Sequence, residues 1–443
     1  MSNNSNSGQA PTNDPDKLRR WLASADPVDA AAEIDHAAMP QRADLFDQLG
    51  DEQAARVFGI LEPAVQAQLL DAMNSGQAMT LFGALSPDDR ARVAEALPTD
   101  TAGNLLGQLS QDKRTSTALL LEYPRETAGR IMSPHFVMLR ADMTVAEALS
   151  TVRRDGQDAE TIYYLPMVDG DMRFQGAVSL QDLVMAEPGD RISDVCDPET
   201  GSFPVDADQE VVARYMEDAD LLAIAVVEEG DRLVGIITVD DAMDVVRLEE
   251  AEDMARSSAV TPLGQPYFSV SALQLVRSRV VWLSLLAVAA VLTVNVLAAF
   301  ESTLERAVTL GLFIPLLIGI GGNTGAQSAT TIVRALAMDD VRAGDFLRVA
   351  ARESAVGLQM GAVLAAVAYL IVWAAFSSGI AAVVASTLLA ICTLAALVGS
   401  LMPLLARAVG VDPAVISAPL VTTIVDASGL LIYFLIAIAV LGL

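Results

Sequence analysis

Cysteine, histidine and lysine are nearly absent from this chain of 443 residues, and the first two scarcities each remove a class of function. The two cysteines, Cys196 and Cys392, are far apart in sequence and in segments of opposite character. That argues against a disulfide framework and against a thiolate metal site. The two histidines, His36 and His135, stand alone, so neither a Ser/His/Asp set nor a metal-ligand cluster can be assembled around them. No Walker-type glycine loop is present either, and enzyme chemistry has no anchor. Lysine occurs only at Lys17 and Lys113, which reads as codon composition. The leading "MSNNSNSGQAPTNDPD" has no apolar centre of the kind a secretory signal needs, so residues 1–16 read as a disordered tail.

Basic charge is the other shortage: 28 Lys and Arg stand against 56 Asp and Glu, for a net charge of −28. From Val280 onward there are only eight acids and six bases, so nearly all of the excess lies before that point. Such a surface disfavours nucleic acid as a partner and favours cations.

What the chain has in abundance is long uncharged stretches. Twenty-one residues without charge separate Arg279 from Glu301, 27 separate Arg306 from Arg334, and 53 separate Glu353 from Arg407, the last broken by "SSG" at 377–379. A further apolar stretch follows Asp412. A helix needs about 20 apolar residues to cross a bilayer, so these stretches predict five spans. Arg277, Arg279, Arg334, Arg342, Arg348, Arg352 and Arg407 fall on one side and only Arg306 on the other. The N-terminus is then cytoplasmic and the C-terminus outside, as expected of a multi-pass plasma (inner) membrane protein in contact with lipid.

Two repeated regions precede the spans. "LGDEQAARVFGIL" at 49–61 matches "LSPDDRARVAEAL" at 85–97, 36 residues on, and predicts a stacked all-α array. "RADMTVAEAL" at 140–149 returns as "DADQEVVARY" at 206–215, and "GAVSLQDL" at 176–183 returns as "GIITVDDA" at 235–242. Helix, apolar strand, acidic glycine turn, and a strand running into Ser/Thr-x-x-Asp recur in each unit. That order resembles a pair of α/β CBS (cystathionine β-synthase-type) domains. Many such pairs hold a nucleotide, which makes ATP a candidate ligand; Gln181 and Leu221 stand where an aromatic ring or an arginine would hold it.

The second span, "FIPLLIGIGGNTGAQSATTIVRALAMDD" at 313–340, gathers Pro315 and four glycines with Asn323, Thr324, Gln327 and Ser328. Such residues loosen a helix where it lines a cavity or packs closely. The last span carries one carboxylate, Asp426. An ionisable group at membrane depth is costly and usually lines a pathway.

Four stretches in order resemble the MgtE-type magnesium channels and transporters: "GGNTGAQSATTIVRALA" at 321–337, "GVDPAVISAPLVTTIVDASGLLIYF" at 410–434, the CBS pair with "ETIYYLPMVDG" at 160–170, and the helical repeats before it. The resemblance implies a multi-domain membrane protein: a helical N domain at 17–128, tandem CBS domains at 129–246, a connecting helix at 247–273, and a five-helix transmembrane pore domain at 274–443. It implies a homodimer around one pore, with Asp426 as pore carboxylate and Asn323 lining the path. It further implies regulatory Mg2+ sites among Asp220, Asp241, Asp244, Glu252, Asp253 and Asp412, which would draw acidic surfaces together and close the pore. Ala418 and Ala326 stand where the family often has Asn. Two other readings share many of these features: a CBS-regulated transporter of Co2+, Ni2+ or Mn2+, and a Mg2+ sensor without transport.

Overall fold

The computed structural model describes residues 15–443 except 23, 38, 265, 266, 268, 269, 339 and 417. Most of the expected tail thus lies outside the described residues, while its end already belongs to helix α1 (Pro15–Leu22). The chain divides into two units, Met1–Glu249 with Leu263–Val270, and Glu250–Pro262 with Ser271–Leu443.

The first unit begins as a helical array with a strict period. Helices α2 (Pro27–His36), α3 (Met39–Phe46), α4 (Asp51–Ile60), α5 (Pro63–Ala72), α6 (Ser75–Ala84), α7 (Pro87–Ala96), α8 (Thr99–Gln108) and α9 (Gln111–Glu122) each start twelve residues after the one before. From α4 onward the link between consecutive helices is two residues long and opens on an extended, apolar residue: Leu61, Met73, Leu85, Leu97 and Leu109. The four leucines are buried, so each link also anchors the core. Proline at the start of α2, α5 and α7 supplies a preset φ where the missing N–H costs nothing.

Each helix packs on the next but one, α2 on α4, α3 on α5 and so on to α7 on α9, which makes two parallel rows. A side chain every 24 residues ties the rows together. Arg42, Arg90 and Arg114 donate through Nε, and Gln66 through Nε2, to the carbonyl eight residues back, at 3.0, 3.3, 3.2 and 2.5 Å. These are carbonyls at helix ends, which have no partner within their own helix. The 36-residue match read from the sequence therefore needs correction. It spans three helices and superposes α4 on α7, members of opposite rows; the structural unit is the twelve-residue helix and its 24-residue pair.

Two equivalent α/β modules follow. Strands β1 (Leu139–Arg140), β2 (Tyr164–Val168) and β3 (Phe174–Ser179) form one sheet; β4 (Ser202–Pro204), β5 (Ala223–Glu228) and β6 (Arg232–Thr238) form the other. In both, the first pair is parallel and the second antiparallel, with the same bulge. Short helices α10 (Ala128–Ile131), α12 (Leu180–Met185) and α13 (Ile192–Val195) flank the sheets. The longer α11 (Val145–Asp155) is opened by a Thr144/Glu147 capping box, and α14 (Gln209–Asp218) by Asp208. Tyr164, Val168, Ala177, Ala223, Ala225, Leu233 and Ile236 join the modules through one core. Helix α15 (Val239–Ser257) leaves the second sheet. Of the connecting helix expected at 247–273, the stretch to Ser257 is the end of α15 and Ala272 and Leu273 open the next long helix; after Ser257 the helix stops, because Ala259 takes a left-handed φ of 56° and Pro262 cannot donate.

Among the described residues the second unit holds five helices long and apolar enough to cross a membrane: α16 (Ala272–Ala299), Val308–Ala337 containing α18 (Ile314–Ala337), α19 (Phe346–Ala375), α20 (Ser378–Ala408) and α21 (Ala418–Leu441). The short α17 (Glu301–Arg306) joins the first two. Helices α18, α20 and α21 pack mutually, α19 lies on α20, and α16 lies on α21. Gly399 lets α20 meet α18 backbone to backbone, since a Cβ there would collide with the Gly325 carbonyl.

Polar contacts sort the helix ends into two sides. Arg407 at the end of α20 donates to the Leu336 carbonyl at the end of α18, 2.7 Å away, where it also complements the helix dipole. At the opposite ends Tyr433 donates to the Leu310 carbonyl at 2.8 Å, and Phe300 stacks on Phe434.

Candidate cation pathway and acidic clusters

Asp426 is the ninth residue of α21, about 12 Å along its axis at the usual rise of 1.5 Å per residue. Its carboxylate faces Gly322 on α18, where an added Cβ would lie 3.3 Å from Oδ1 and equally close to Thr422. Oδ1 is buried and has no hydrogen-bond partner. The nearby hydroxyls do not relieve it: Thr422 and Thr423 both donate to the Pro419 carbonyl, and Ser428 to Ile424. A carboxylate at such depth costs roughly 2.5–3.5 kcal/mol on insertion scales, and an oxygen left without a donor adds to that cost. Asn323, next to Gly322, is exposed, as is Gln327 one turn on. The glycine face of α18 is thus buried against α20 and α21 while its amide face is open.

Asp412 lies in the turn before α21. Its Oδ1 accepts from the Ala414 N–H at 2.8 Å, capping the one-turn helix Pro413–Val415, and its Oδ2 accepts from Arg256 Nη1 at 2.5 Å. Arg256 also pairs with Glu252, one turn earlier on α15. Asp253, half-buried beside Glu252, adds to the negative field at the same guanidinium.

In the first unit, Asp241 and Asp244 open α15 and meet α7 across Arg92. The guanidinium lies 3.0 Å from Asp241, 3.7 Å from Asp244, 2.6 Å from Asp89 and 3.5 Å from Asp88. Thr238 Oγ1 donates to the other Asp241 oxygen at 2.9 Å. Burial first, then the Asp88 charge, pushes the Asp241 carboxyl up to about 9. Burial and Asp89 likewise raise Asp88, whose Oδ1 has no partner. Burial alone would lower Arg92, but the four carboxylates reverse that and hold it above the usual arginine value. Asp220 stands apart, exposed, in a left-handed turn with φ 52° after α14.

Of the sequence-derived acids, then, Asp241 is brought to Asp244, and Glu252 to Asp412, each pair around an arginine. Among the described residues no three Asp, Glu, His or Cys side chains converge as a metal cage. Asp88, Asp89, Arg92 and Arg256 escaped the sequence reading. "PDDR" reads as an ordinary acidic helix start; the spacing of Glu252 and Arg256 was the visible clue to the second cluster.

Five apolar spans, an unpaired carboxylate facing a glycine-rich helix, and soluble domains dense in acid define a multi-pass membrane protein of the cation-transport class. Residues 314–436 match the MgtE family model, described as a divalent cation transporter. Residues 25–126 match the MgtE intracellular N domain, and 128–189 and 192–248 match the CBS domain. The chain is 42% identical over 321 residues to the magnesium transporter MgtE of Thermus thermophilus, covering 72% of this chain and 71% of that one. Against the magnesium transporter MgtE of Enterococcus faecalis it is 37% identical, covering 72% and 70%. The crystal structure of the cytosolic domain of the Mg2+ channel MgtE with ATP aligns at a TM-score of 0.49 and 36% identity, covering 52% of this chain and 95% of that one. The chain belongs to the MgtE family.

Proposed function

We propose that the protein is a Mg2+-selective, channel-like importer of the plasma membrane, working as a homodimer with a cytoplasmic N-terminus and closed by cytoplasmic Mg2+. The observation that carries this reading is the unpaired carboxylate of Asp426 beside Gly322. Mg2+ dehydrates reluctantly and suits one or two carboxylates around a largely hydrated ion better than a full protein cage. Two copies of Asp426, one from each subunit, supply that charge; Asn323 offers an uncharged oxygen to the ion's water shell. The driving force is the ion's gradient and the membrane potential, worth about 2.3 kcal/mol per charge at 100 mV.

Closure rests on the acid surplus of the soluble part. Asp220, Asp241, Asp244, Glu252, Asp253 and Asp412 are the groups through which bound Mg2+ would favour the closed population. The CBS pair supports ATP as a further ligand, tested by equilibrium binding to the full chain. Mg2+ flux into vesicles holding wild type or Asp426→Ala tests the pore: undiminished flux in the variant removes the assignment. The family description as a divalent cation transporter favours a second reading, carriage of Co2+, Ni2+ or Mn2+, which competitive uptake separates from the first.

A further inference from the structure

The Glu252 and Asp412 carboxylates, in the stretch where a bridging divalent ion is proposed, are bridged by the chain's own cation. Arg256 pairs with Glu252 across one turn of α15 and donates to Asp412 Oδ2, 156 residues away in sequence. The order of the helical pair, acid before base at i,i+4, is the favourable one. Asp412 in turn caps Pro413–Val415 through the Ala414 N–H, and α21 with its Asp426 begins at Ala418. A single guanidinium therefore links the end of α15 to the turn that sets the start of the Asp426 helix.

We propose that Arg256 is a tethered competitor of the regulatory divalent ion: it latches Glu252 to Asp412 when that ion is scarce, and must be displaced before the ion can take the same two carboxylates. The inference rests on the reading that cytoplasmic Mg2+ closes the pore, and supplies its threshold. Three features support it. The planar guanidinium has five donors and can serve two carboxylates at once. All three side chains are about one-third exposed, at 38%, 31% and 33% for Arg256, Glu252 and Asp412, so a hydrated ion can reach them. Arg256 is part of the same chain, so it competes at an effective concentration on the order of millimolar, and a divalent ion must approach that range to replace it.

Removing the guanidinium leaves Glu252 and Asp412 facing each other unneutralised. At low internal Mg2+ they repel and the closed arrangement loosens; as Mg2+ rises, the ion meets no rival. The experiment is Mg2+ flux through the full-length protein in vesicles whose internal Mg2+ is buffered across a range, comparing wild type, Arg256→Gln and Arg256→Lys. Arg256→Gln is expected to raise flux at chelated internal Mg2+ and to lower the half-inhibitory concentration by about tenfold. Arg256→Lys, which keeps the charge but not the fork, falls between. If Arg256→Gln melts like wild type yet leaves both quantities unchanged, the latch is overturned. If wild type itself is insensitive to internal Mg2+, the gating reading fails. The latch is then read from a double-mutant cycle of melting temperatures in chelator, Arg256→Gln with Asp412→Asn, where strictly additive shifts overturn it and coupled shifts sustain it.

Discussion

Arg92 Nη2 lies 3.0 Å from Asp241 Oδ1, joining α7 of the helical array to the first turn of α15, 149 residues later. Three more carboxylates, Asp88, Asp89 and Asp244, crowd the same guanidinium. Truncating it leaves buried acids with no cation between them. Arg92→Ala is expected to destabilise the protein by about 1–3 kcal/mol, the usual cost of leaving a buried polar group unsatisfied. Thermal melting of the solubilised full chain, followed by circular dichroism, measures it; a loss below that of an ordinary surface substitution would show that the cluster holds nothing together.

The same cluster gives stability a direction in pH. Burial and Asp88 raise the Asp241 carboxyl to about 9, whereas an unfolded Asp titrates near 3.9. Between those values the folded state binds the extra proton, so Asp241's contribution is fully present below about 4 and is lost as pH rises towards 9. Asp88, raised by the same burial, adds in the same direction. Melting temperatures taken from pH 5 to 9 are expected to fall more steeply for wild type than for Asp241→Asn, which cannot lose that proton. Parallel slopes would place the titration elsewhere.

The parts of this fold that were legible in the sequence are those written in local pattern. Uncharged runs bounded by charged residues mark the five spans, and the recurring Ser/Thr-x-x-Asp marks the two α/β modules. Asp426 stood out because a lone carboxylate in an apolar run has few structural excuses. The helical array was legible only in part. Matching "LGDEQAARVFGIL" to "LSPDDRARVAEAL" found a multiple of the period, because the signal lies in the links, Leu61, Leu85, Leu97 and Leu109, not on the helix faces. Arg92 and Arg256 were hidden for a different reason. Their partners Asp241 and Asp412 lie about 150 residues away, and an arginine on a helix otherwise reads as a solvated charge.

The crossing of α18 and α20 depends on the absence of a side chain. A Cβ at Gly399 would run into the Gly325 carbonyl, backbone that cannot swing aside. Gly399→Ala must therefore push the two helices apart, at a cost of about 1–3 kcal/mol for overpacking. A lowered melting temperature in detergent is the expected result. Gly311→Ala is the control, since a Cβ there meets nothing within 4 Å.

Gly322 tests the pathway without touching its charge. A Cβ at this position would sit 3.3 Å from Asp426 Oδ1 and from the Thr422 methyl, close enough to demand a shift of a few tenths of an ångström but not to break the bundle. Gly322→Ala should thus fold, and gains a little helix propensity, yet it places a methyl group against Asp426 Oδ1, which has no hydrogen-bond partner. A hydrated ion needs that oxygen accessible to its water shell, so Mg2+ flux is expected to fall by about tenfold while the melting temperature stays near that of wild type. Gly322→Val, with two further carbons, should abolish flux. Should Gly322→Ala carry Mg2+ as wild type does, the ion does not pass on the Gly322 side of Asp426, and the open amide face of Asn323 and Gln327 alone would have to line its route.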